Sequence, residues 1–482
     1  MTAPFFIGID IGTQGARVVL IDAKGNMVAQ NEEVFPLSNQ STEEQSPSLW
    51  IESCFRSLKK IVTDSKELID LHDIKAMSVT STSGTVIPID ENNQPLHNAI
   101  MYSDKRSATE GLLCREVAIK ANSGYTGFNS SSGLSKMVWF VNNFPDKIRR
   151  IKKWIHATDY IIGSLSGRWG ISDYTNVLKS GYDVKNLCWP SFIYKQLPLK
   201  KEWLCEVVAP GTPLGRLDAA TAKELGLPFT IVVVAGMTDG CASQIASGAV
   251  NLGDWNTTIG TTLVVKGITT VELKDTGDTL YNHRHPEGYW MPGGAGNIGA
   301  DWISEDFKED LARLNQEASQ LIPTGQFAYP LRQQGERFPF NAPNAKGFQP
   351  SGVNGAKLFA ANMEGVAYIE RYAYEVISRL AGEQVKAVYT AGGASNSDTW
   401  LTIRSNVLNL PIYKMKFVTG AVGAAILAAS KTHFSSIIEA TKALTQIEKE
   451  ILPQPELAKK YDALYHQFIE LLQQKGFITK EQ

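Results

Sequence analysis

The stretch FIGIDIGTQGARVVLID, residues 6–22, decides the fold of this chain. Residues 5–11 are mostly apolar and predict a buried strand, residues 12–15 predict a tight turn, and residues 16–22 predict a returning strand. We therefore expect a β-hairpin near the start of the sequence, with a glycine-rich turn at its tip.

The tip of this hairpin carries groups that bind phosphate well. Gly12 and Gly15 let backbone N–H groups approach an anion closely. Thr13 and Gln14 add side-chain donors, and Arg17 adds a fixed positive charge at the start of the returning strand. The alternative is an ordinary hairpin, because Gly and Thr are also common turn residues.

Asp10 ends the first predicted strand beside this tip. A carboxylate in that position can hold a hydrated Mg²⁺ against phosphate oxygens. The alternative is a strand-end carboxylate that caps the turn. Asp10 is therefore a candidate for both the nucleotide site and the metal site.

A second hairpin of the same kind lies far along the chain. The segment DWNTTIGTTLVVK, residues 254–266, again predicts a strand, a Gly-Thr turn and a strand, and its tip consists of Gly260, Thr261 and Thr262. Two such hairpins predict a duplicated domain, in which each half offers a phosphate-binding tip to one cleft between two lobes.

A third glycine-rich element is VYTAGGASNS, residues 388–397. We predict a strand that runs into Gly392 and Gly393, with Ser395 and Asn396 as caps of the next helix. Such a turn brings the backbone close to a flat or anionic ligand. The sequence contains no G-x-x-x-x-G-K-[ST] motif, so a Walker A loop cannot be the mode of ATP binding.

The composition is typical of a globular enzyme. The chain has 482 residues, of which 43% are hydrophobic and 20% charged, and its formal net charge is −2. This length exceeds one ordinary domain. Because there is no basic excess, we expect neither nucleic-acid nor membrane partners, and we expect a small-molecule substrate. A homodimer is a candidate assembly.

The cysteines and apolar segments predict a cytoplasmic protein. Five scattered cysteines without a C-x-x-C pair argue against a disulfide framework or a zinc site. The apolar start lacks a basic region and is interrupted by Asp10, which is not the pattern of a signal peptide. The apolar run at residues 229–235 is too short to span a bilayer and predicts a buried strand.

Strands interleaved with helical segments predict an α/β protein. Apolar residues at helical spacing mark residues 46–71, and the region 107–162 is expected to be mainly helical. We predict an N-terminal lobe over residues 1–250, a C-terminal lobe over residues 251–432, and a helical tail over residues 433–482 that packs on the second lobe.

Asp239, in GMTDG, is the candidate general base. It follows an apolar run at residues 231–235 and stands at the predicted start of a helix. Phosphoryl transfer to a hydroxyl needs a base near that hydroxyl, a cation across the phosphates, and accurate positioning. The alternative is an aspartate that only caps the helix, and the two roles are compatible. Asp239 is also a candidate metal ligand together with Asp10.

Several motifs resemble those of the FGGY carbohydrate kinases, and the likeness extends from residue 6 to about residue 430. The matching motifs are an E-Q-x-P-x-x-W helix start at Glu44, an aromatic-x-D-x-R segment at Tyr102, Asp104 and Arg106, a first signature around Lys136 and Trp139, and a GER-x-P loop at residues 335–339.

This resemblance implies a two-lobed, actin-like ATPase fold of duplicated, ribonuclease H-like α/β lobes, with a cleft between them. It also implies ATP and Mg²⁺ as cofactors and Asp239 as the catalytic aspartate. The residues assigned to the nucleotide are Asp10, Gly12, Thr13, Gln14, Gly15, Arg17, Gly260, Thr261, Thr262, Gly392, Gly393, Ala394 and Asn396. The residues assigned to the sugar are Thr82, Ser83, Gly84, Tyr102, Asp104 and Asp239.

One departure from the family pattern bears on the substrate. Many xylulose kinases carry Gln-Met-His-Gly on the sugar-binding strand, whereas this chain has STSGT at residues 81–85. In this respect the chain is similar to the pentulose kinases of cyanobacteria and plants that prefer D-ribulose, which we predict as the substrate. The alternatives are D-xylulose, another polyol such as glycerol or gluconate, a chaperone-like or actin-like ATPase, and a catalytically idle sugar- or nucleotide-binding regulator.

Overall fold

A computed structural model describes residues 4–275, 277, 279–307 and 310–479. The strands are β1 (Phe5–Ile11), β2 (Gly15–Asp22), β3 (Met27–Val34), β4 (Glu44–Gln45), β5 (Ile74–Ser81), β6 (Val86–Ile89), β7 (Ala99–Ile100), β8 (Lys153–His156), β9 (Ile171–Asp173), β10 (Glu206–Val208), β11 (Pro213–Arg216), β12 (Val232–Val234), β13 (Met237–Thr238), β14 (Asp254–Ile259), β15 (Leu263–Gly267), β16 (Leu280–Arg284), β17 (Trp290–Ala295), β18 (Ala387–Ala391), β19 (Ile412–Met415) and β20 (Ile447–Ile451).

The α-helices are α1 (Pro47–Ser65), α2 (Ala108–Lys120), α3 (Gly133–Asn143), α4 (Ala157–Ser166), α5 (Phe192–Lys195), α6 (Ala219–Leu225), α7 (Asp239–Ala246), α8 (Asp301–Asp306), α9 (Leu311–Ser319), α10 (Gly355–Ala381), α11 (Asp398–Leu408), α12 (Gly420–Ala429), α13 (Ile437–Leu444) and α14 (Pro455–Gln474). None of the helices in the described part of the chain is long and apolar enough to cross a membrane.

The chain divides into two compact units. Unit 1 contains residues 4–246, 286–288 and 418–445, and unit 2 contains the described residues of 247–285, 289–417 and 446–479. This division differs from the predicted continuous boundaries at residues 250 and 432. Helices α12 and α13 belong to unit 1, so that only the last part of the predicted tail, β20 and α14, belongs to unit 2.

Unit 1 is built on a seven-stranded mixed sheet with the order β11-β12-β5-β1-β2-β3, and β13 also pairs with β5. The first hairpin is confirmed, because β1 pairs antiparallel with β2, and Ile11 lies opposite Ala16 next to the turn. On its other side β1 pairs parallel with β5. Two smaller sheets, β4-β7-β6-β8 and β10-β9, complete the unit.

Unit 2 contains a second seven-stranded sheet with the order β16-β17-β15-β14-β18-β19-β20. The second predicted hairpin is β14 and β15, which pair antiparallel, and β14 pairs parallel with β18. The series β3-β2-β1-β5-β12 in unit 1 and β17-β15-β14-β18-β19 in unit 2 have the same order and the same strand directions. The duplicated α/β fold predicted from the two hairpins is therefore confirmed.

Helix α12 packs directly on the backbone of unit 1. A Cβ atom on Gly8 of β1 would lie 1.8 Å from the carbonyl oxygen of Ala421, and one on Gly423 would lie 2.0 Å from that of Ala242 in α7. Real Cβ atoms do not approach backbone so closely, so only glycine fits at these two positions. This packing explains why residues 418–445 return to unit 1.

Three predicted helical regions end or break earlier than expected. Helix α1 ends at Ser65 rather than near residue 71, since residues 66–68 are exposed and no burial stabilises another turn. The region 107–162 also contains strand β8, whose residues pair with β6. A short apolar run of this kind cannot be told from a buried helix by its periodicity. The predicted helical tail, residues 433–482, is interrupted by strand β20 at Ile447–Ile451.

Side chains from α10 hold the C-terminal helix α14 in unit 2. Glu364 of α10 is fully buried and accepts a hydrogen bond of 2.8 Å from the Tyr461 hydroxyl and one of 2.9 Å from the Thr324 N–H. Arg371 of α10 donates to Asp462 of α14 over 2.7 Å. These hydrogen bonds join α14 to α10 within unit 2.

We expect Glu364→Gln to flatten the pH dependence of the stability of unit 2. Burial raises the pKa of Glu364 from its ordinary value of 4.5 to about 7. A carboxyl with a raised pKa binds more protons when folded, so its contribution to stability is complete below about pH 4.5 and is lost as the pH rises through about 7. The loss is on the order of 3 kcal/mol.

Urea unfolding of wild type and variant across this pH range measures the effect. Glu375→Gln is the matched control, because Glu375 also accepts a hydrogen bond from an α14 tyrosine but is half exposed. The control should keep the wild-type slope of stability against pH. A Glu364→Gln protein with the wild-type slope contradicts the expectation.

Candidate active site

Strand β5 aligns two carboxylates at one edge of the unit 1 sheet. On one side of β5, Asp10 of β1 lies opposite Thr80. On the other side, Met237 of β13 lies opposite the same Thr80, and Asp239 begins α7 directly after β13. Because parallel strands end at the same edge of a sheet, the two carboxylates lie on either side of the end of β5.

The surroundings of Asp10 raise the pKa of its carboxyl group. Burial, the nearby Asp239 carboxylate and Glu32 raise the pKa of Asp10 to about 7, while the Arg17 guanidinium opposes the shift. The Oδ1 atom of Asp10 is shielded from solvent and has no hydrogen-bond partner. A buried carboxylate oxygen without a donor is costly, and a cation or its bound water would satisfy it.

A residue that the sequence analysis missed keeps Asp10 in place. A Cβ atom on Gly420, the first residue of α12, would lie 2.7 Å from Asp10 Oδ2 and 3.1 Å from the Thr80 methyl group. A side chain at position 420 would therefore displace the carboxylate. The G-A-V-G-A-A run was visible in the sequence, but nothing local connected it with Asp10.

The two carboxylates suit a magnesium ion better than a transition metal. Within the described residues, no group of three or more His, Cys, Asp or Glu side chains could hold a metal ion. Mg²⁺ usually retains several waters and binds through one or two carboxylates together with substrate phosphates. Asp10, with its unpartnered Oδ1, and the nearby Asp239 fit this pattern.

The first hairpin tip is a tight turn with an open glycine. The Gly12 N–H donates to the Gly15 carbonyl over 2.9 Å. A Cβ on Gly15 would lie 2.6 Å from the Glu33 carbonyl oxygen, so Gly15 is required by packing on β3, whereas a Cβ on Gly12 would meet only an ordinary contact. Thr13 is half-buried and Gln14 is exposed at the tip.

Arg17 lies between Asp10 and Glu32 across the sheet. It donates to Glu32 over 2.7 Å, and both side chains are substantially exposed. An exposed ion pair of this kind contributes little to stability, typically about 0–1 kcal/mol. The guanidinium can therefore exchange Glu32 for a phosphate at low cost.

The second tip and the Gly-Gly turn meet at one edge of the unit 2 sheet. Strands β14 and β18 are parallel, and a Cβ on Gly392 would lie 2.5 Å from the carbonyl oxygen of Ile259, next to the tip. Gly260 and Gly393 have no atom within 4 Å of a Cβ position, so the space in front of them is open. The predicted nucleotide residues of unit 2 are thus brought together.

The predicted helix caps after this turn are wrong. Residues Gly393–Asn396 form a 3₁₀ helix, and the N-cap of α11 is Ser397, whose hydroxyl accepts the Trp400 N–H over 3.1 Å. Ser395 instead donates back to the Gly392 carbonyl. Ala394 is buried, and Asn396 is exposed. The 3₁₀ turn places the cap one residue later than a simple strand-to-helix turn.

Glu336 orders the segment that supports the second tip. Its carboxylate accepts the N–H groups of Asn297, at 2.5 Å, and Ile298, at 3.3 Å. The Ile298 carbonyl in turn accepts the Leu263 N–H, and the Ala300 N–H donates to the Gly260 carbonyl. The sequence marked Glu336 only as part of a family motif, because its partners lie about 40 residues away.

The sugar-side stretch, residues 82–85, contains three residues that the sequence analysis assigned to the sugar, and it follows β5 directly. The hydroxyls of Thr82 and Thr85 contact each other at 3.2 Å, whereas the Ser83 hydroxyl is shielded and has no partner. Gly84 has a φ of +87°, and a Cβ there would lie 2.3 Å from the Ser131 carbonyl oxygen. Ser83 is therefore the residue of this stretch whose buried hydroxyl leaves its hydrogen-bonding capacity unused.

The structure changes the role predicted for Asp104, which the sequence analysis assigned to the sugar. Asp104 is 1% exposed, and Arg106 donates to its two carboxylate oxygens over 2.7–3.1 Å. The predicted contact of Asp104 with sugar hydroxyls therefore has no support, because its acceptors are already used. Tyr102 is partly exposed, and its N–H donates to Thr85.

Lys136 ties the Asp104 segment to a neighbouring loop. Its ammonium group is fully buried and donates to the carbonyls of Asp104, at 3.1 Å, and Ser130. Burial lowers the pKa of Lys136 to about 8. Arg106 also lies over the Trp139 ring at 4.5 Å. These residues order the wall around the sugar-side stretch rather than offering free groups to a ligand.

Comparisons with known proteins agree with this architecture. Residues 5–246 match the N-terminal domain, and residues 255–432 the C-terminal domain, of the FGGY family of carbohydrate kinases. The chain is 25% identical to a xylulose kinase of Staphylococcus epidermidis over 100% of this chain and 99% of the relative. It is 24% identical to a gluconokinase of Bacillus licheniformis over 97% of this chain and 95% of the relative.

Two solved structures have the same fold. The xylulose kinase from Rhodospirillum rubrum superimposes with a TM-score of 0.83 at 23% identity and covers 98% of both chains. The gluconate kinase from Lactobacillus acidophilus gives 0.82 at 22% identity, also over 98% of both chains. Together with the two domain matches, these findings establish that the chain belongs to the FGGY family of carbohydrate kinases, which are phosphotransferases that act on a sugar hydroxyl.

Proposed function

We propose that this protein transfers the terminal phosphoryl group of ATP to a hydroxyl of a pentulose, with D-ribulose as the preferred sugar. The observation that carries the proposal is the pair Asp10 and Asp239 on either side of β5, followed at once by the unpartnered Ser83 hydroxyl. In this proposal Asp10 faces the phosphates and the Ser83 hydroxyl faces the sugar. Both lie with Asp239 at the same end of the unit 1 sheet.

The two glycine-rich edges support ATP as the phosphoryl donor. Gly260 and Gly393 leave open space where a side chain would stand, and a Cβ on Gly12 would meet only an ordinary contact, so a phosphate or a flat ring can approach the backbone of these turns. Arg17 adds a charge whose ion pair with Glu32 is exposed to solvent. The family match to kinases agrees with a nucleoside triphosphate donor.

Asp239 is the group best suited to receive the proton of the sugar hydroxyl. It is half-buried at the first residue of α7, and its Oδ1 accepts the Gly240 N–H over 2.6 Å. This contact orients the carboxylate, whose other lone pairs can accept a proton as the hydroxyl oxygen attacks. The capping role considered from the sequence is thus compatible with the role of a base.

Asp10 and Asp239 are the residues that would hold Mg²⁺. When bound, the ion neutralises the charge that develops on the phosphates. The protein's own residues position the partners, because the reaction needs little covalent chemistry from the enzyme.

The choice of D-ribulose rests on the stretch that follows β5. Thr82 and Ser83 occupy positions held by bulkier Met and His in many xylulose kinases, and the close approach of Ser131 allows only glycine at position 84. D-xylulose is the second candidate, favoured by the names of several relatives. The two sugars differ in the orientation of one hydroxyl, so the hydrogen bonds of a few polar groups decide between them.

Asp239→Asn should remove most sugar phosphorylation while leaving ATP binding intact. General-base catalysis typically contributes about 10²–10⁴-fold, and we expect a loss of kcat in that range. Coupled ADP-release kinetics and titration with a non-hydrolysable ATP analogue measure the two effects.

Asp218→Asn is the matched control for this experiment. Asp218 also stands at a helix start in unit 1, where it accepts the Thr221 N–H over 3.0 Å, but it lies outside the edge formed by β1, β5 and β13. If Asp239 acted only as a helix cap, the two substitutions would change kcat by similar factors. Near-normal turnover of purified Asp239→Asn would rule out its role as the base.

Asp10→Asn should raise the Mg²⁺ concentration needed for half-maximal activity by at least about tenfold, because a neutral amide binds a hard cation poorly. Asp90→Asn is the control, since Asp90 directly follows strand β6 and accepts the N–H groups of Asn92 and Gln94 as a turn cap. Equal Mg²⁺ requirements for wild type and Asp10→Asn would show that Asp10 only ends a strand.

The ratio of kcat/KM for D-ribulose over D-xylulose should exceed one, and Ser83→Ala should reduce it by about tenfold. A buried polar partner left unpaired costs about 1–3 kcal/mol, which is enough for such a change. Ser78→Ala is the control, because Ser78 is fully buried within β5, the strand that precedes Ser83. A preference for D-xylulose in the wild type would replace the first candidate by the second.

A further inference from the structure

The peptide group between Met237 and Thr238 is hydrogen-bonded at both ends by threonine hydroxyls. The Thr80 hydroxyl donates to the Met237 carbonyl over 2.8 Å, and the Thr238 N–H donates to the Thr175 hydroxyl over 3.0 Å. A peptide group is planar, so two bonds to its opposite ends fix the orientation of the whole plane. Asp239 is the next residue after this plane.

The direction of the bonds at Thr175 follows from its single hydroxyl proton. The hydroxyl lies 2.5 Å from the Asp173 carboxylate, which can only accept when ionised, so the proton is donated to Asp173. The lone pairs of the same oxygen then accept the Thr238 N–H. A hydroxyl that donates to a carboxylate is a stronger acceptor, since hydrogen bonds in a chain polarise one another.

Asp173 is itself buried and hydrogen-bonded by its neighbours. Its carboxylate also accepts the Thr175 N–H over 2.8 Å and the Asn176 side-chain amide over 2.5 Å. Asp173, Thr175 and Thr238 are each no more than 1% exposed. A buried carboxylate is costly unless it is hydrogen-bonded, so this network tolerates few other arrangements.

Thr80 links the same peptide to the other carboxylate of the site. It lies opposite Asp10 in the pairing of β5 with β1, and opposite Met237 in the pairing of β5 with β13. Its side chain is fully buried. Thr80 therefore lies between β1, which carries Asp10, and β13, which leads to Asp239.

We infer that Thr80 and Thr175, the latter supported by Asp173, are positioning residues that hold the Met237–Thr238 peptide and thereby aim the Asp239 carboxylate at the sugar hydroxyl. This inference rests on the proposed role of Asp239 as the base. The two threonines do not touch substrate in this account, and they act only through the backbone that leads to Asp239.

The test compares Thr175→Val and Thr80→Val, which remove the hydroxyl at nearly constant shape, with Thr175→Ser and Thr80→Ser, which keep it. Each valine variant should lower kcat by about 10–100-fold, because a misplacement of about 1 Å can cost on the order of 10²-fold. KM for ATP should stay near the wild-type value, and the serine variants should recover most of kcat.

Thr441→Val is the matched control. Thr441 is a fully buried threonine of unit 1 whose hydroxyl donates to the Ile437 carbonyl over 2.7 Å, within α13. The Thr441→Val variant measures how much kcat changes when any buried hydroxyl of unit 1 is removed. We expect its kcat to equal that of the wild type. Equal losses of kcat in Thr441→Val and Thr175→Val would overturn the inference.

A double-variant cycle separates this inference from the proposed function. If Thr175 acts only through Asp239, Thr175→Val should cause little further loss in an Asp239→Asn background. An equal loss in both backgrounds overturns the positioning role. Near-normal activity of Asp239→Asn alone would instead refute the base, whereas an inactive Asp239→Asn with a fully active Thr175→Val refutes only the inference.

Hydrogen exchange provides a readout that needs no substrate. The Thr238 amide should exchange faster in Thr175→Val than in the wild type, and Thr175→Ser should restore its protection. If Thr175→Val does not fold, Thr80→Val tests the other end of the same peptide through kcat. Unchanged protection of the Thr238 amide in a folded Thr175→Val protein contradicts the inference.

Discussion

The parallel pairing of β5 with a strand on each side is the constraint on which the candidate site depends. Two carboxylates repel each other, and here Asp10 and Asp239 are kept near one another because β1 and β13 both pair with β5 up to its last residues. The approach of the strand segments is close: a Cβ on Gly236, just before β13, would lie 2.0 Å from the carbonyl oxygen of Val79. The strand pairing therefore offsets the repulsion between the two carboxylates. Such a pair is suited to binding a cation and to accepting a proton.

The remainder of unit 1 supports this edge from residues that come late in the chain. Helix α12 begins at Gly420 against Asp10, and its Gly423 packs on the backbone of α7, the helix that starts with Asp239. One helix therefore contacts both elements that carry the carboxylates. This arrangement explains why residues 418–445 belong to unit 1 although they stand between β19 and β20, which pair with each other in unit 2.

The sequence allowed prediction of the features that are encoded locally. Each hairpin could be predicted because an apolar run, a Gly-Thr turn and a second apolar run are adjacent, and Asp239 could be placed at a helix start because it follows a buried strand. Long-range packing could not be predicted in this way. Gly420 matters through Asp10, far away in sequence, and the Asp104 segment is held by the buried Lys136, which donates to the Asp104 carbonyl from 32 residues away. The assignments of nucleotide, metal and sugar residues remain predictions.

The most direct test of the central claim is the structure of this protein with a bound pentulose and a non-hydrolysable ATP analogue. The account predicts that the hydroxyl to be phosphorylated lies within hydrogen-bonding distance, about 2.6–3.2 Å, of the Asp239 carboxylate, with Ser83 contacting another hydroxyl of the sugar. It also predicts that Asp10 lies on the phosphate side. A sugar whose reactive hydroxyl is bound by a different acidic residue, with Asp239 turned only toward its own helix, would contradict the account.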